Sequence, residues 1–261
     1  MGFFDRFRRQ SGPLLHVAGD EGSGSPVILV HGIASSSVTF ELLIPLIADR
    51  HRAISIDLLG FGESPVPADA RYDLEEHVSA LARTIRSLKL KEQFVLVGHS
   101  MGSLIATRYA ATHRRRVSKL VLVSPPVYIS SSAIGNPRDR VATDLHMRAY
   151  EYLRSNKEFT MRGAARLARI SPIKNVIEVT ERNWTPFVLS LENLIESQTT
   201  ISDLANVTAP VEVIYGTLDP FLTPAGLRIV ERMRGVNVHK VEGNDHVIRT
   251  RLARVVATAI G

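Results

Sequence analysis

The chain has 261 residues, 44% of them hydrophobic and 22% charged, with a net charge of +6 and no cysteine. That balance suits one large globular domain, or one domain carrying an insertion. It excludes disulfides, zinc–thiolate sites and a cysteine nucleophile. No apolar stretch approaches the roughly 18–20 residues of a membrane-spanning helix. The opening MGFFDRFRRQSG has neither the apolar stretch nor the cleavage site of a secretory signal. Arg6 stands where a myristoylation signal needs Ser or Thr. With the missing cysteines, this fits a cytoplasmic protein.

In chain order, the first feature is FFDRFRR, where Phe3, Phe4 and Phe7 alternate with Arg6, Arg8 and Arg9. A frayed or docked terminus is the plainer reading. The sharper one is a weak contact with an anionic membrane surface through residues 1–10. Short apolar, β-branched runs then follow: VILV (27–30), AISI (53–56), FVLV (94–97), LVLV (120–123), VEVIY (211–215) and VNVHKV (236–241). Continuous runs of this length suit strands buried on both faces, as in a parallel sheet. Between them, Leu74, Val78, Leu81, Ile85 and Leu88 form one helical stripe, with Asp73 as N-cap and Glu76 three residues on. Thr223-Pro224 opens another helix, which ends near Gly235.

The cluster HRRRVSK (113–119) reads as a solvated helix end rather than a nucleic-acid patch, because no aromatic residue interleaves it. From about Pro126 to Val207 no buried strand is evident, only helical stretches such as DLHMRAYEYLRS and MRGAARLARI. The expected architecture is therefore α/β, a doubly wound and mostly parallel sheet. Residues 1–125 and 208–261 would form its core, and residues 126–207 a helical insertion.

The stretch VGHSMGS (97–103) lies at a strand-to-helix junction. There, G-x-S-x-G makes a nucleophile elbow: a sharp turn lifts the Ser100 hydroxyl off the sheet, and Gly98 and Gly102 leave room for neighbouring backbone. A serine hydroxyl needs a base, and the base needs an orienting carboxylate. His246, in the loop after the last strand, and Asp219, just past VEVIY, both belong to the sheet edge where reactive groups gather. Donors for an oxyanion are expected from the N–H of Met101 and from the HGIASSS loop, where Ile33 is the first choice and Ala34 the second.

Asp57 is expected to bond loop N–H groups, and Asp245 points away from its neighbour His246. His31 and His99 flank the site as hydrogen-bonding residues; His99 and Ser35 are candidates for touching substrate. Ser35, Ser36 and Ser37 could equally cap the helix that follows them. His146 and the arginines of the insertion suggest affinity for an acidic substrate, but Glu151 and Glu158 are interspersed, so a solvated surface is the plainer reading. No metal-ligand spacing and no phosphate-binding glycine loop is present, so no cofactor is implied. Nothing in the sequence sets the oligomeric state.

VILVHG with its Ser-rich loop, IDLLGFGES, VGHSMGS, YGTLDP and GNDH, in this order over about residues 26–250, resemble the α/β-hydrolase superfamily. The resemblance implies Ser100 as nucleophile, His246 as base, Asp219 as acid, and Ile33 and Met101 as oxyanion donors. It also implies a helical cap at 126–207. Two features depart from it: the family's first strand is not evident in MGFFDRFRR, which suggests a shortened sheet, and Ser103 stands where many relatives have glycine. The reaction expected is cleavage of a small-molecule carboxylic ester. Lactonases, thioesterases, acylglycerol lipases and carbon–carbon bond hydrolases share the same machinery. A ligand-binding protein that keeps the pocket without catalysis is the alternative of a different class.

Overall fold

A computed structural model describes residues 12–171, 173 and 176–261. The FFDRFRR segment, with its expected membrane contact, lies outside the described residues. Each apolar run becomes a strand: β2 (Ser25–Val30), β3 (His51–Ile56), β4 (Phe94–His99), β5 (Val117–Val123), β6 (Val211–Gly216) and β7 (Val236–Val241). A further strand that the apolar runs did not announce, β1 (Val17–Glu21), follows MGFFDRFRR, itself outside the described residues, and pairs antiparallel with β3. Its sequence VAGDE shows no apolar alternation because it is an edge strand with no buried residue; the backbone ladder to β3 holds it.

The seven strands run β1-β3-β2-β4-β5-β6-β7, and all pairs other than β1–β3 are parallel. Both faces of the central strands are buried, as the continuous runs require. The helices in chain order are α1 (Ile44–Ile47), α2 (Leu74–Ser87), α3 (Met101–Thr112), α4 (Pro137–Ser155), α5 (Lys157–Ile170), α6 (Trp184–Ser190), α7 (Thr200–Leu204), α8 (Pro224–Glu231) and α9 (Thr250–Ile260). On one face of the sheet Ile28, Leu96 and Leu120 pack with Leu81 of α2 and Leu104 of α3. On the other face Leu29, Val97 and Val121 pack with Leu252 and Val256 of α9.

Helix α2 starts where the sequence placed it, with the Asp73 carboxylate accepting the Glu76 N–H at 2.9 Å. The basic cluster at 113–119 closes helices. Arg114 donates to the Ala111 carbonyl, and Lys119 reaches the last carbonyls of α9, Ala259 and Ile260.

Between β5 and β6 the described residues contain helices and turns but no strand. The last of these helices, α7, packs on α3, where Asp203 pairs with Arg108 at 2.8 Å. Among the described residues no helix is long and apolar enough to cross a membrane.

Candidate active site

Ser100, Asp219 and His246 each follow the C-terminal end of a parallel strand. Ser100 is the single residue between β4 and α3. Its backbone has φ 52° and ψ −126°, a region costly for any residue with a side chain. The turn is held by the Ser100 N–H to the Val123 carbonyl at 2.9 Å and by the Ser103 N–H to the Ser100 carbonyl at 2.8 Å. Gly98 and Gly102 are required by close approach. A Cβ on Gly98 would lie 2.5 Å from the Gly102 carbonyl oxygen, and one on Gly102 would strike the carbonyls of Val30 and His31. Ser103 strengthens the elbow, since its hydroxyl donates to the Gly98 carbonyl at 2.7 Å.

Asp219 and His246 come together across 27 residues: Nδ1 lies 2.8 Å from Oδ2, with the Asp219 side chain fully buried. The carboxylate is acceptor-only, so Nδ1 carries the hydrogen and Nε2 is left as the free ring nitrogen. Burial alone would push the Asp219 carboxyl up. The hydrogen bond and charge of His246, with the Phe221 N–H and Ser124, outweigh it and hold the group below the usual carboxylate range. Ser124 acts on Asp219 by proximity, because its buried hydroxyl makes no hydrogen bond of regular geometry. The hydrogen bonds of the described residues join His246 to Asp219 but do not include a Ser100–His246 bond.

His99 supports His246 from behind. Its Nε2 lies 2.9 Å from the His246 carbonyl, and the two rings are 4.9 Å apart. Burial, together with the nearby His246, pushes the His99 pKa down to about 3, so the ring is neutral and Nε2 is its donor. Phe221 packs edge-on to the His246 ring at 4.7 Å.

The loop after β2 is pinned as tightly. The His31 Nε2 accepts the Leu58 N–H at 2.8 Å, which leaves Nδ1 to donate to the Gly32 carbonyl at 2.7 Å. Burial keeps His31 neutral. The Gly32 carbonyl and the Ile33 N–H are opposite ends of one planar trans peptide. Holding the carbonyl therefore turns the Ile33 N–H the other way. Among the described residues neither the Ile33 nor the Met101 N–H has a protein acceptor, the latter as the first residue of α3.

Gly32 lies against the serine: a Cβ there would be 2.7 Å from the Ser100 Cβ. Sequence reasoning did not single out Gly32, Ser124, Tyr128 or Tyr150; only the HG pair preceding Ile33 carried any signal for the first. Asp57 bonds loop groups, accepting from the Ser37 N–H and hydroxyl and from the Glu63 N–H. Ser35 is buried and engaged with Thr39 at 2.8 Å, and Ser36 takes the cap position of the following 3₁₀ turn without a side-chain bond. Asp245 pairs with Arg249.

The helical segment meets the site on two sides. The Glu178 N–H donates to the Ala34 carbonyl at 2.7 Å. Opposite it, the Tyr128 hydroxyl donates to the Phe221 carbonyl at 2.7 Å and so accepts from the Tyr150 hydroxyl, also at 2.7 Å. His146, for which a solvated surface was the plainer reading, has Nε2 2.7 Å from the Pro220 carbonyl.

A family model described as the alpha/beta hydrolase fold matches residues 25–162, more than half of the chain. The chain belongs to the α/β-hydrolase family. Among curated relatives of this α/β hydrolase, a probable lysophospholipase, BODYGUARD 4 of Arabidopsis thaliana, is 42% identical over 118 residues. That match takes in 44% of this chain and 28% of the relative, so the chain spans well under half of that protein's length. The 2-(acetamidomethylene)succinate hydrolase of Mesorhizobium japonicum is 27% identical over 92% of this chain and 88% of its own. The esterase EaEST from Exiguobacterium antarcticum, a solved structure, superposes with a TM-score of 0.75 at 22% identity, covering 95% of this chain and 99% of that one.

Proposed function

We propose that this α/β hydrolase cleaves a carboxylic ester with Ser100 as nucleophile, His246 as general base and Asp219 as the orienting acid. The observation that carries the reading is the 2.8 Å bond from His246 to a buried, anionic Asp219, at the same sheet edge as the elbow serine. Ser100 Oγ attacks the ester carbonyl carbon while His246 Nε2 takes the hydroxyl proton. The carbonyl oxygen becomes the oxyanion and is received by the N–H groups of Met101 and Ile33. The tetrahedral centre collapses, the C–O bond to the alcohol breaks, and Nε2 returns the proton to that leaving oxygen. Water repeats the sequence on the acyl-enzyme and releases the acid. In this reading residues 126–207 form a cap, supported by the contacts of Glu178 with Ala34 and of Tyr128 with Phe221.

A second reading keeps these residues and changes the bond. It is favoured by the Mesorhizobium relative, whose name is that of a 2-(acetamidomethylene)succinate hydrolase and whose match covers nearly the whole chain. The test is a fluorophosphonate probe followed by a panel of esters of graded acyl length, with a lactone, a thioester and 2-(acetamidomethylene)succinate alongside. Ser100→Ala is the control. Labelling and ester turnover that vanish in Ser100→Ala are expected. Equal, slow turnover of every ester by both proteins overturns the ester reading, and turnover of one other substrate alone replaces it.

A further inference from the structure

Helices α4 and α5 bury too little of their apolar surface. Val141, Leu145 and Tyr152 of α4 are 67%, 65% and 51% exposed, and Phe159 of α5 is 54% exposed. These are not scattered. At 3.6 residues per turn, Val141, Leu145, Arg148 and Tyr152 fall within an arc of about 60°. Phe159 continues the stripe across the helix junction, its ring edge-on to Tyr152 at 5.3 Å. Isolated exposed apolar residues need no explanation, but a contiguous stripe along a helix pair does.

Charge says what covers it. The two helices and Asn156 between them span 137–170 and hold eight Lys/Arg against four Asp/Glu, so these 34 residues carry four of the chain's six net positive charges. Two of the acids are engaged, Asp139 with Arg228 and Glu158 with Arg162, and of the cations Arg154 and Lys157 also pair, with Glu196 and Glu181. Asp144 and Glu151 lie on one border of the stripe. Arg148, Arg166 and Arg169 are exposed and have no ion-pair partner among the described residues. A second copy of the chain packed face to face on this stripe would set arginine against arginine. An anionic lipid surface matches both components, taking the apolar side chains among its acyl chains and the guanidinium groups among its phosphates.

We infer that the α4–α5 face of this protein docks on an anionic membrane surface. The face adjoins the site, because α4 reaches the Asp219 loop through His146 and Pro220, and Leu218 of that loop is itself 65% exposed. Docking here is separate from any contribution of the FFDRFRR segment and does not depend on which bond the enzyme cleaves.

The test is sedimentation of the full chain with vesicles of phosphatidylcholine mixed with phosphatidylglycerol, against phosphatidylcholine alone. Three variants are compared: Leu145→Gln/Tyr152→Gln/Phe159→Gln, Arg148→Glu/Arg166→Glu, and deletion of residues 1–10. The wild type is expected to partition onto the anionic vesicles only. The first two variants are expected to lose about tenfold or more of that partitioning, with turnover of a soluble short-chain ester unchanged. Failure of the wild type to bind anionic vesicles overturns the inference, as does loss on deletion of residues 1–10 with the other two variants binding normally. Light scattering that shows a wild-type dimer and a monomeric Gln variant also overturns it, by making the stripe an interface between copies. Partitioning that persists in a protein without ester turnover leaves the docking face standing and removes only the ester reading.

Discussion

At the C-terminal edge of the sheet, loops hold Ser100, Asp219 and His246 with hydrogen bonds at least partly shielded from water. Helices α4 and α5, the first of which reaches that edge through His146 and Pro220, leave Leu145, Tyr152 and Phe159 in the open. The first region spends folding energy on geometry: strained backbone at Ser100, a buried carboxylate, and histidines kept neutral by burial. The second leaves hydrophobic free energy unrealised among the described residues, and in the reading above a membrane surface recovers it. The difference separates where a reaction is organised from where its surroundings are recognised.

That contrast can be broken experimentally, beginning with the largest effect. Ser100→Ala should reduce turnover by about 10⁶-fold with the thermal midpoint unchanged or raised, since alanine neither relieves nor adds buried polar contacts; loss of fold in thermal scans would contradict it. Asp219→Asn should keep the fold and cost about 10⁴-fold in kcat, because the amide cannot hold the same tautomer of His246; steady-state kinetics decide. Gly32→Ala places a methyl group 2.7 Å from the Ser100 Cβ and should cost about 10²-fold in kcat together with about 1–3 kcal/mol of stability from overpacking, read by kinetics and urea melts.

Asp57 tests the loop through stability instead. Burial would raise its carboxyl, but the Glu63 and Ser37 N–H groups and the neighbouring His31 and His16 hold it below the usual range. A depressed folded-state pKa stabilises the protein above the unfolded value of about 3.9. That contribution disappears as pH falls through the folded value. Asp57→Asn should therefore be less stable near neutrality and lose less on acidification, as urea melts at stepped pH would measure. The smallest effect belongs to Tyr128→Phe, which removes the donor to the Phe221 carbonyl; about 1 kcal/mol of stability and a moderate rise in KM are expected.

Much of this was legible in the sequence, for a physical reason. A strand buried on both faces must be apolar throughout, so the central strands β2, β4 and β5 announce themselves, while β1, with no buried residue, does not. Asp219 and His246 could be paired because each follows a strand at the same edge, and they stand 2.8 Å apart. Gly32 beside Ser100, Ser124 beside Asp219, and the Tyr128–Tyr150 pair depend on approaches between distant segments that no local pattern encodes. The helices of the insertion were visible from their periodicity. Which of their faces would be left uncovered was not, because the apolar residues on α4 do not all point inward.

The contacts of residues 126–207 have a mechanical consequence. That segment is tied to the Ala34 loop through Glu178 and to the Phe221 loop through Tyr128, so it links two separate loops of the sheet edge. Moving those loops apart must break the backbone bond at Ala34 or the hydroxyl bond at Phe221.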